Sequence, residues 1–173
     1  PTASHNKWQM AVLFLIQTAS FGDNNGNSSI LGQVYNMVVQ LLHSNQLAQD
    51  DRLVEEALYG CKALCLAISD APIYRQSFAV FQHFACLPSD GSLQVRCRSM
   101  AALHQMALHN HQLFANELMN EYVKMSCQLR GQRELRTWIE TTLWMATAEG
   151  AMNMEYVKAV FVPLLAQLES INC

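Results

Sequence analysis

Charged side chains are scarce in this sequence. They make up 14% of its 173 residues, whereas an average chain carries about 25%. The few charges nearly cancel, and the net charge of −3 excludes a general electrostatic attraction to nucleic acid or to anionic lipid. Because hydrophobic residues make up 51% of the chain, we expect some apolar surface to be left for a partner.

Long hydrophobic runs are also missing. The run from Met10 to Ile16 is far shorter than the roughly 20 residues that span a bilayer, and no small-residue cleavage site follows it. We therefore predict a buried helix at this position and no membrane association. Since the chain begins at Pro1 rather than at a methionine, we expect it to be a fragment of a longer protein.

The motifs of the common catalytic sites are absent. The sequence has no glycine-rich phosphate loop and no Gly-x-Ser-x-Gly elbow. Adjacent carboxylates occur only as Asp50-Asp51 and Glu55-Glu56, which suit the solvated start of a helix. These absences predict a protein that is not an enzyme and that binds no cofactor.

The histidines and cysteines do not form a recognisable metal site. Cys61 and Cys65 lie four residues apart, as two ligands on one helix face would, but no second ligand pair follows at a suitable distance. His104, His109 and His111 are spaced by five and two residues, so they do not share a helix face. We predict no metal, and we interpret the cysteines as reduced core residues of a cytoplasmic or nuclear protein.

Helical periodicity runs through nearly the whole chain, and no alternating strand pattern is evident. Turn and cap residues separate the helices: Asp50 and Ser92 are candidate N-caps, and Gly131 marks a turn. The predicted helices span 6–20, 29–44, 51–69, 72–87, 92–109, 111–129, 132–149 and 153–169.

A similar local pattern returns at intervals of about 40 to 45 residues. A small residue, a leucine and a ring occur together at 57–59, at 102–104 and at 142–144. This period predicts four stacked helical units, since one helical hairpin cannot bury its apolar face alone. The predicted units are 6–44, 51–87, 92–129 and 132–169.

These units resemble the armadillo and HEAT repeat family. EALYGCKALCLA and TTLWMATA are similar to the long third helix of an armadillo repeat, and FQHFACLPSDGSLQV is similar to the helix and turn before it. The resemblance implies an all-α, right-handed α-solenoid of about four repeats in a single domain over residues 1–173. A helical bundle with fortuitous periodicity is the alternative.

The resemblance also implies a concave groove lined by the third helices. Members that carry nuclear cargo use tryptophan and asparagine there to clamp an extended peptide, whereas this chain has one such tryptophan and no matching asparagine. A more apolar groove favours an amphipathic helix. The groove candidates are Glu55, Tyr59, Met100, His104, Glu140 and Trp144, and the residues expected to face the core beside Trp144 are Ile139, Leu143 and Ala146.

The function predicted from this architecture is a non-enzymatic scaffold that presents a curved surface to a helical or extended segment of another protein. A self-associating module of a large scaffold is one alternative. A nucleic-acid-binding helical repeat is another, although the overall charge disfavours it. It would use the basic residues that gather around one turn, which are Lys124, Arg130, Arg133 and Arg136.

Overall fold

The computed structural model describes residues 28–43, 50–88, 91–129 and 131–147, together with the single residues 158 and 162. These residues form helices and short connections and contain no strand, which confirms the predicted all-α class. The helix predicted at 6–20, and most of the one predicted at 153–169, lie outside the described residues.

The helices follow the sequence pattern closely, and their bounds differ from the predicted ones by no more than two residues. Their ranges are α1 (Ser28–Leu42), α2 (Asp51–Ile68), α3 (Ala71–Ala85), α4 (Leu93–His109), α5 (His111–Leu113), α6 (Met119–Lys124) and α7 (Gln132–Thr147). A π-helical turn (Phe114–Leu118) joins α5 to α6, and a 3-10 turn (Met125–Cys127) follows α6. We refer to this continuous run as the 111–127 helix.

Side-chain caps define the starts of α2 and α4, as predicted. The Asp50 carboxylate accepts hydrogen bonds from the backbone N–H groups of Arg52 and Leu53, at 3.1 and 3.4 Å. The Ser92 hydroxyl accepts one from the backbone N–H of Val95 at 3.4 Å. Each cap supplies a partner for backbone donors that the first turn of a helix leaves without one.

Contacts within the chain group it into two compact units, Pro1–Phe81 and Gln82–Cys173. The sequence predicted a single domain with a repeat at 51–87, whereas this boundary falls inside α3. None of the described helices is long and apolar enough to cross a membrane.

In the first unit, a buried hydroxyl pair joins α1 to α3. Tyr35 and Ser77 are both fully buried, and their hydroxyl oxygens lie 2.8 Å apart. The Tyr35 hydroxyl also lies 3.3 Å from the carbonyl oxygen of Ile73. The pair satisfies polar atoms that would otherwise be costly to bury.

Two cysteines of α2 border this hydroxyl pair. Burial raises the pKa of the Cys61 thiol to about 12 and that of the Cys65 thiol to about 11. Both side chains are therefore neutral core thiols at physiological pH, as the sequence predicted. The expectation does not hold for every cysteine, because Cys127 is exposed and Cys86 and Cys97 are only partly buried.

The second unit is built around two helices that run in the same direction. Arg96 of α4 contacts Glu134 of α7, and eight residues later His104 contacts Thr141, so the two helices advance together. The 111–127 helix runs the opposite way, because Trp138 contacts Tyr122 whereas the later Trp144 contacts the earlier His111. The result is two antiparallel helix pairs that share their middle helix.

The core face of α7 differs from the predicted one. Trp138, Thr141 and Thr142 are fully buried, whereas Leu143 is 39% exposed and Ile139 is only partly buried. The prediction that Leu143 faces the core is therefore wrong, and the side chain of Ala146 lies outside the described residues. The helix is turned by about one residue, or 100°, from the predicted register.

Threonine chemistry explains this difference in register. The hydroxyls of Thr141 and Thr142 donate to the carbonyl oxygens one turn earlier, Thr137 and Trp138, both at 2.7 Å. Once its hydroxyl is bonded within the helix, a threonine presents a methyl group to the core. Two threonines can therefore be buried while a neighbouring leucine is exposed.

A buried ion pair joins the first turns of α4 and α7. The Arg96 Nε lies 2.7 Å from Glu134 Oε1, and the side chains are 7% and 0% exposed. Arg96 Nη1 also donates to the carbonyl oxygens of Pro88 and Gly91, at 3.0 and 2.7 Å. A Cβ atom at Gly131 would collide with the Glu134 carboxylate, so any other residue at this position would displace that side chain.

Leu103 and Leu143 test the register of the two parallel helices. We expect Leu103→Ala to lower the free energy of unfolding by about 2–5 kcal/mol, the range for a buried leucine, because Leu103 is fully buried. We expect Leu143→Ala to change it by less than about 1 kcal/mol, since this side chain is 39% exposed. Urea denaturation followed by circular dichroism measures both values, and equal losses would contradict the assigned register.

Candidate partner-binding surface

One surface of the second unit combines three of the six predicted groove residues, His104, Glu140 and Trp144. Along α4 and along α7, four residues spaced by four, three and four positions fall on one helix face, and all of them are at least partly accessible. We call this surface the α4–α7 seam. It consists of Cys97, Ala101, His104 and Leu108 on α4 and of Arg133, Thr137, Glu140 and Trp144 on α7.

A side-chain hydrogen bond crosses the middle of the seam. His104 Nδ1 lies 2.8 Å from Thr141 Oγ1, and the histidine is half-buried. Because the Thr141 hydroxyl donates to its own helix, the simplest arrangement has Nδ1 donating and leaves Nε2 as the acceptor. His104 therefore fixes the spacing of the two helices and offers a polar edge at the seam.

Trp144 forms one end of the seam. Its half-buried ring packs edge-to-face against the ring of His111, with 5.4 Å between centroids and an interplanar angle of 87°. This contact orients the indole near the end of α7, and Leu108, near the end of the parallel α4, is 41% exposed. Partners commonly contact an aromatic ring and apolar side chains of this kind.

The predicted groove residues do not all belong to this surface. Met100 is fully buried, so its assignment to the groove is corrected: it is a core residue of α4. Glu140 is exposed and accepts a hydrogen bond from Arg136 at 2.8 Å. Glu55 and Tyr59 lie on α2 of the first unit, where Tyr59 is 44% exposed and its ring centroid lies 4.8 Å from Lys62 Nζ.

The predicted basic turn is divided among different contacts. Lys124 pairs with Glu121 at 2.7 Å, and Arg136 pairs with Glu140 at 2.8 Å, each within its own helix. Arg130 lies outside the described residues. Local pairing lowers the positive charge available to a phosphate backbone. Of the three basic residues that the structure describes here, Arg133 lies at a pocket.

This pocket lies at the other end of the seam from Trp144. It has a volume of about 260 Å³ and is lined by Leu93, Gln94, Cys97, Arg98 and Arg133. Since α4 and α7 begin at Leu93 and Gln132 and run in parallel, both N-terminal ends lie near it. Burial raises the pKa of the Cys97 thiol, and the Glu134 carboxylate raises it further.

Sequence reasoning missed the pocket and the buried ion pair next to it. A signal for the pair was present, because Arg96 precedes the buried Met100 and Leu103 at helical spacing and Glu134 precedes the buried Trp138. Each apolar stripe thus contains one charged residue. The separation of 38 residues between these two charged residues matches the repeat period. Leu93 carried no comparable signal, since an exposed leucine cannot be distinguished from a core leucine by type.

The described residues contain no group of three or more His, Cys, Asp or Glu side chains placed to hold a metal ion. The pocket is smaller than the roughly 300–1,000 Å³ of typical sites for small molecules and cofactors. The described features of this surface are exposed leucines, a half-buried indole and a few polar groups. Comparison with protein-family models, with curated proteins and with solved structures gives no match.

Proposed function

We propose that this protein is a non-enzymatic interaction scaffold of armadillo or HEAT type, and that the α4–α7 seam binds a helical segment of a partner protein. The observation that carries the proposal is the parallel packing of α4 and α7, which places two similar helix faces side by side. The support comes from the spacing of these contacts, from the length of the seam and from its composition.

The contact spacing favours a repeat over an unrelated bundle. The pairs Arg96–Glu134 and His104–Thr141 join residues 38 and 37 positions apart. In the first unit, Tyr35 contacts Ile73 and Ser77 at separations of 38 and 42. Equivalent helices of successive repeats stack at one repeat length, and these separations lie near the period of about 40 residues of the family.

The dimensions and chemistry of the seam suit an amphipathic helix. Its residues on α4 extend from Cys97 to Leu108, about 16 Å along the axis, or roughly three turns. A partner helix of similar length would place side chains at i, i+4 and i+7 against it. Leu108 and Trp144 supply apolar contacts at one end, and His104 supplies a hydrogen-bonding group in the middle.

Trp144 is expected to contribute more to binding than to folding. We predict that Trp144→Ala weakens partner binding at least about tenfold, or ~1.4 kcal/mol, because a fixed indole at an exposed site is a frequent binding hot spot. Loss of the contact with His111 should cost only about 0.5–1.5 kcal/mol of stability. Affinity capture with quantitative mass spectrometry, comparing wild type and variant, measures the effect on binding.

Met37→Ser provides the matched control. Met37 is an exposed apolar side chain, 68% accessible, on α1 of the first unit. Partners of the seam should be lost with Trp144→Ala and with Leu108→Ser but retained with Met37→Ser. If both seam variants retain every partner and remain folded by circular dichroism, the seam proposal is wrong.

Light scattering over a range of concentrations identifies the case in which the partner is a second copy. A wild-type dimer that Trp144→Ala converts to a monomer would place self-association at the seam. A monomer at all concentrations would exclude self-association at the seam.

A further inference from the structure

The hydrogen bond between His104 and Thr141 fixes the position of one proton at the middle of the α4–α7 seam. Thr141 is fully buried, and its hydroxyl oxygen lies 2.7 Å from the carbonyl oxygen of Thr137. Two oxygens at this distance need a proton between them, and a carbonyl carries none, so the Thr141 proton lies there. The same hydroxyl oxygen lies 2.8 Å from His104 Nδ1, and Nδ1 therefore carries the proton of this second contact.

This proton assignment determines the chemistry of the other ring nitrogen. A neutral imidazole has one N–H and one acceptor nitrogen, so Nε2 of His104 is an acceptor. The tautomer is the opposite of the one that free histidine favours in water, and the hydrogen bond to Thr141 maintains it. His104 lies on the accessible face of α4 between Ala101 and Leu108 and is half-buried, so a partner that lies along the seam contacts its ring.

The other polar groups near the middle of the seam also accept rather than donate. The Thr137 hydroxyl donates to the Arg133 carbonyl oxygen at 3.1 Å, so its proton is used within α7. The Glu140 carboxylate accepts a hydrogen bond from Arg136 at 2.8 Å, and the two opposite charges of this exposed pair offset each other. A complementary partner group therefore donates a hydrogen bond and carries no net charge.

A primary amide meets both requirements. The side chains of asparagine and glutamine have two N–H donors and no charge. A lysine or arginine would lose hydration on a seam whose end is formed by Leu108 and Trp144, and burying an unpaired charge is costly. An apolar side chain would cover Nε2 of His104 and leave it without a hydrogen bond, which is also unfavourable.

We propose that His104 determines which partner segment the seam accepts, by requiring an asparagine or glutamine side chain that donates to Nε2. This assignment rests on the proposed function, since the amide belongs to the helix that lies along the seam. The amide lies at the middle of that helix, and apolar side chains one turn away contact Leu108 and Trp144. Thr141 is a positioning residue, because it fixes the tautomer of His104 without touching the partner.

The tautomer is tested first, without any ligand. Long-range proton–nitrogen NMR of the full chain labelled with 15N-histidine, recorded on the neutral ring, should show His104 protonated at Nδ1 and not at Nε2. Thr141→Val should return the ring to the tautomer protonated at Nε2. Thr147→Val is the matched control on the same helix, and it should change nothing, since its exposed hydroxyl donates to the Leu143 carbonyl oxygen. A wild-type ring protonated at Nε2 would overturn the proposal.

The donor is tested with capped helical peptides of about 12 residues, which match the roughly three turns of the seam. They carry leucine or phenylalanine at the apolar positions and glutamine at the centre, and their counterparts carry glutamate or methionine at the centre. We expect at least one glutamine peptide to shift the Nε2 resonance of His104. It should bind at least about fivefold more tightly than both counterparts, as expected of one neutral hydrogen bond.

Two variants of α4 connect this preference to the imidazole. His104→Asn keeps an N–H donor near the position of Nδ1 and has no atom at the position of Nε2, so it should remove the preference for glutamine. Gln105→Asn, at the exposed neighbouring position, should retain it. If His104→Asn does not fold by circular dichroism, the tautomer and the peptide measurements on the wild-type protein decide the question.

The outcomes separate this proposal from the seam proposal. If no glutamine peptide shifts the Nε2 resonance, or if the counterparts bind equally tightly, the amide assignment is overturned. Should Trp144→Ala still reduce partner capture in that case, the seam remains a binding surface with different chemistry at its middle. If glutamine peptides bind through His104 but the seam variants retain all partners, the His104 assignment stands and the seam proposal fails.

Discussion

Replacing Trp138 with alanine is expected to lower the free energy of unfolding by about 3–5 kcal/mol, the range for a large aromatic residue removed from a core. Trp138 is fully buried and lies between α7 and the 111–127 helix. Its ring stacks on Tyr122 with 6.5 Å between centroids, and its Nε1 donates to the Tyr122 carbonyl oxygen at 2.8 Å. Alanine would remove both interactions and leave a cavity.

A second substitution keeps this prediction testable if the alanine variant fails to fold. Trp138→Phe retains most of the apolar volume and loses the N–H donor, so its loss should be smaller, about 1–2 kcal/mol. Urea unfolding followed by circular dichroism gives both values. Trp144→Ala, on the same helix but half-buried, serves as the comparison. A Trp138→Ala variant no less stable than Trp144→Ala would show that α7 presents a different face to the core.

Removing one partner of the Arg96–Glu134 ion pair is expected to cause the second large loss of stability. Arg96→Met should destabilise the protein by about 3–5 kcal/mol, because it leaves the fully buried Glu134 carboxylate without its cation. It also removes the two hydrogen bonds that Arg96 donates to the carbonyl oxygens of Pro88 and Gly91. The ion pair thus connects α7 to both the start of α4 and the turn before it.

The double variant Arg96→Met with Glu134→Leu separates the ion pair from the packing around it. Replacing a buried pair by apolar residues is often neutral, whereas removing one partner is costly. We therefore expect the double variant to be more stable than Arg96→Met alone. Additive losses in a double-mutant cycle measured by urea unfolding would mean that the two charges do not interact.

The sequence by itself determined the helices and where they begin. Asp50 and Ser92 were identified as caps from residue type and position alone, and the structure shows both hydrogen-bonded as caps. This success has a local cause, since a cap depends on groups within three residues of it. Helical periodicity has the same local origin, and the predicted bounds are accordingly close to the observed ones.

The sequence was less informative about which face of each helix is buried. Leu58, Leu103 and Leu143 occupy the same position in the repeated pattern, but only the first two are buried. Apolar type indicates that a residue can be buried, not that it is. The face that α7 buries depends on what its partners offer, and the Tyr122 carbonyl and ring select Trp138.

The sequence predicted only part of the candidate binding surface, because residue type does not determine which face of a helix is exposed. His104 lies on the exposed face of α4, and Glu140 and Trp144 lie on the exposed face of the parallel α7. This juxtaposition follows from the register of a repeat. Met100 was misplaced, because a register error of one residue rotates a helix face by about 100° and exchanges a groove position for a core position.

The ion pair and the pocket were decided by tertiary structure alone. Arg96 and Glu134 lie 38 residues apart in sequence and 2.7 Å apart in space, a distance set by the parallel packing of α4 and α7. The pocket arginines are brought together by the same packing. Local sequence determines helices and caps through short-range hydrogen bonds, whereas the direction and rotation of one helix against another determine which distant side chains form a site.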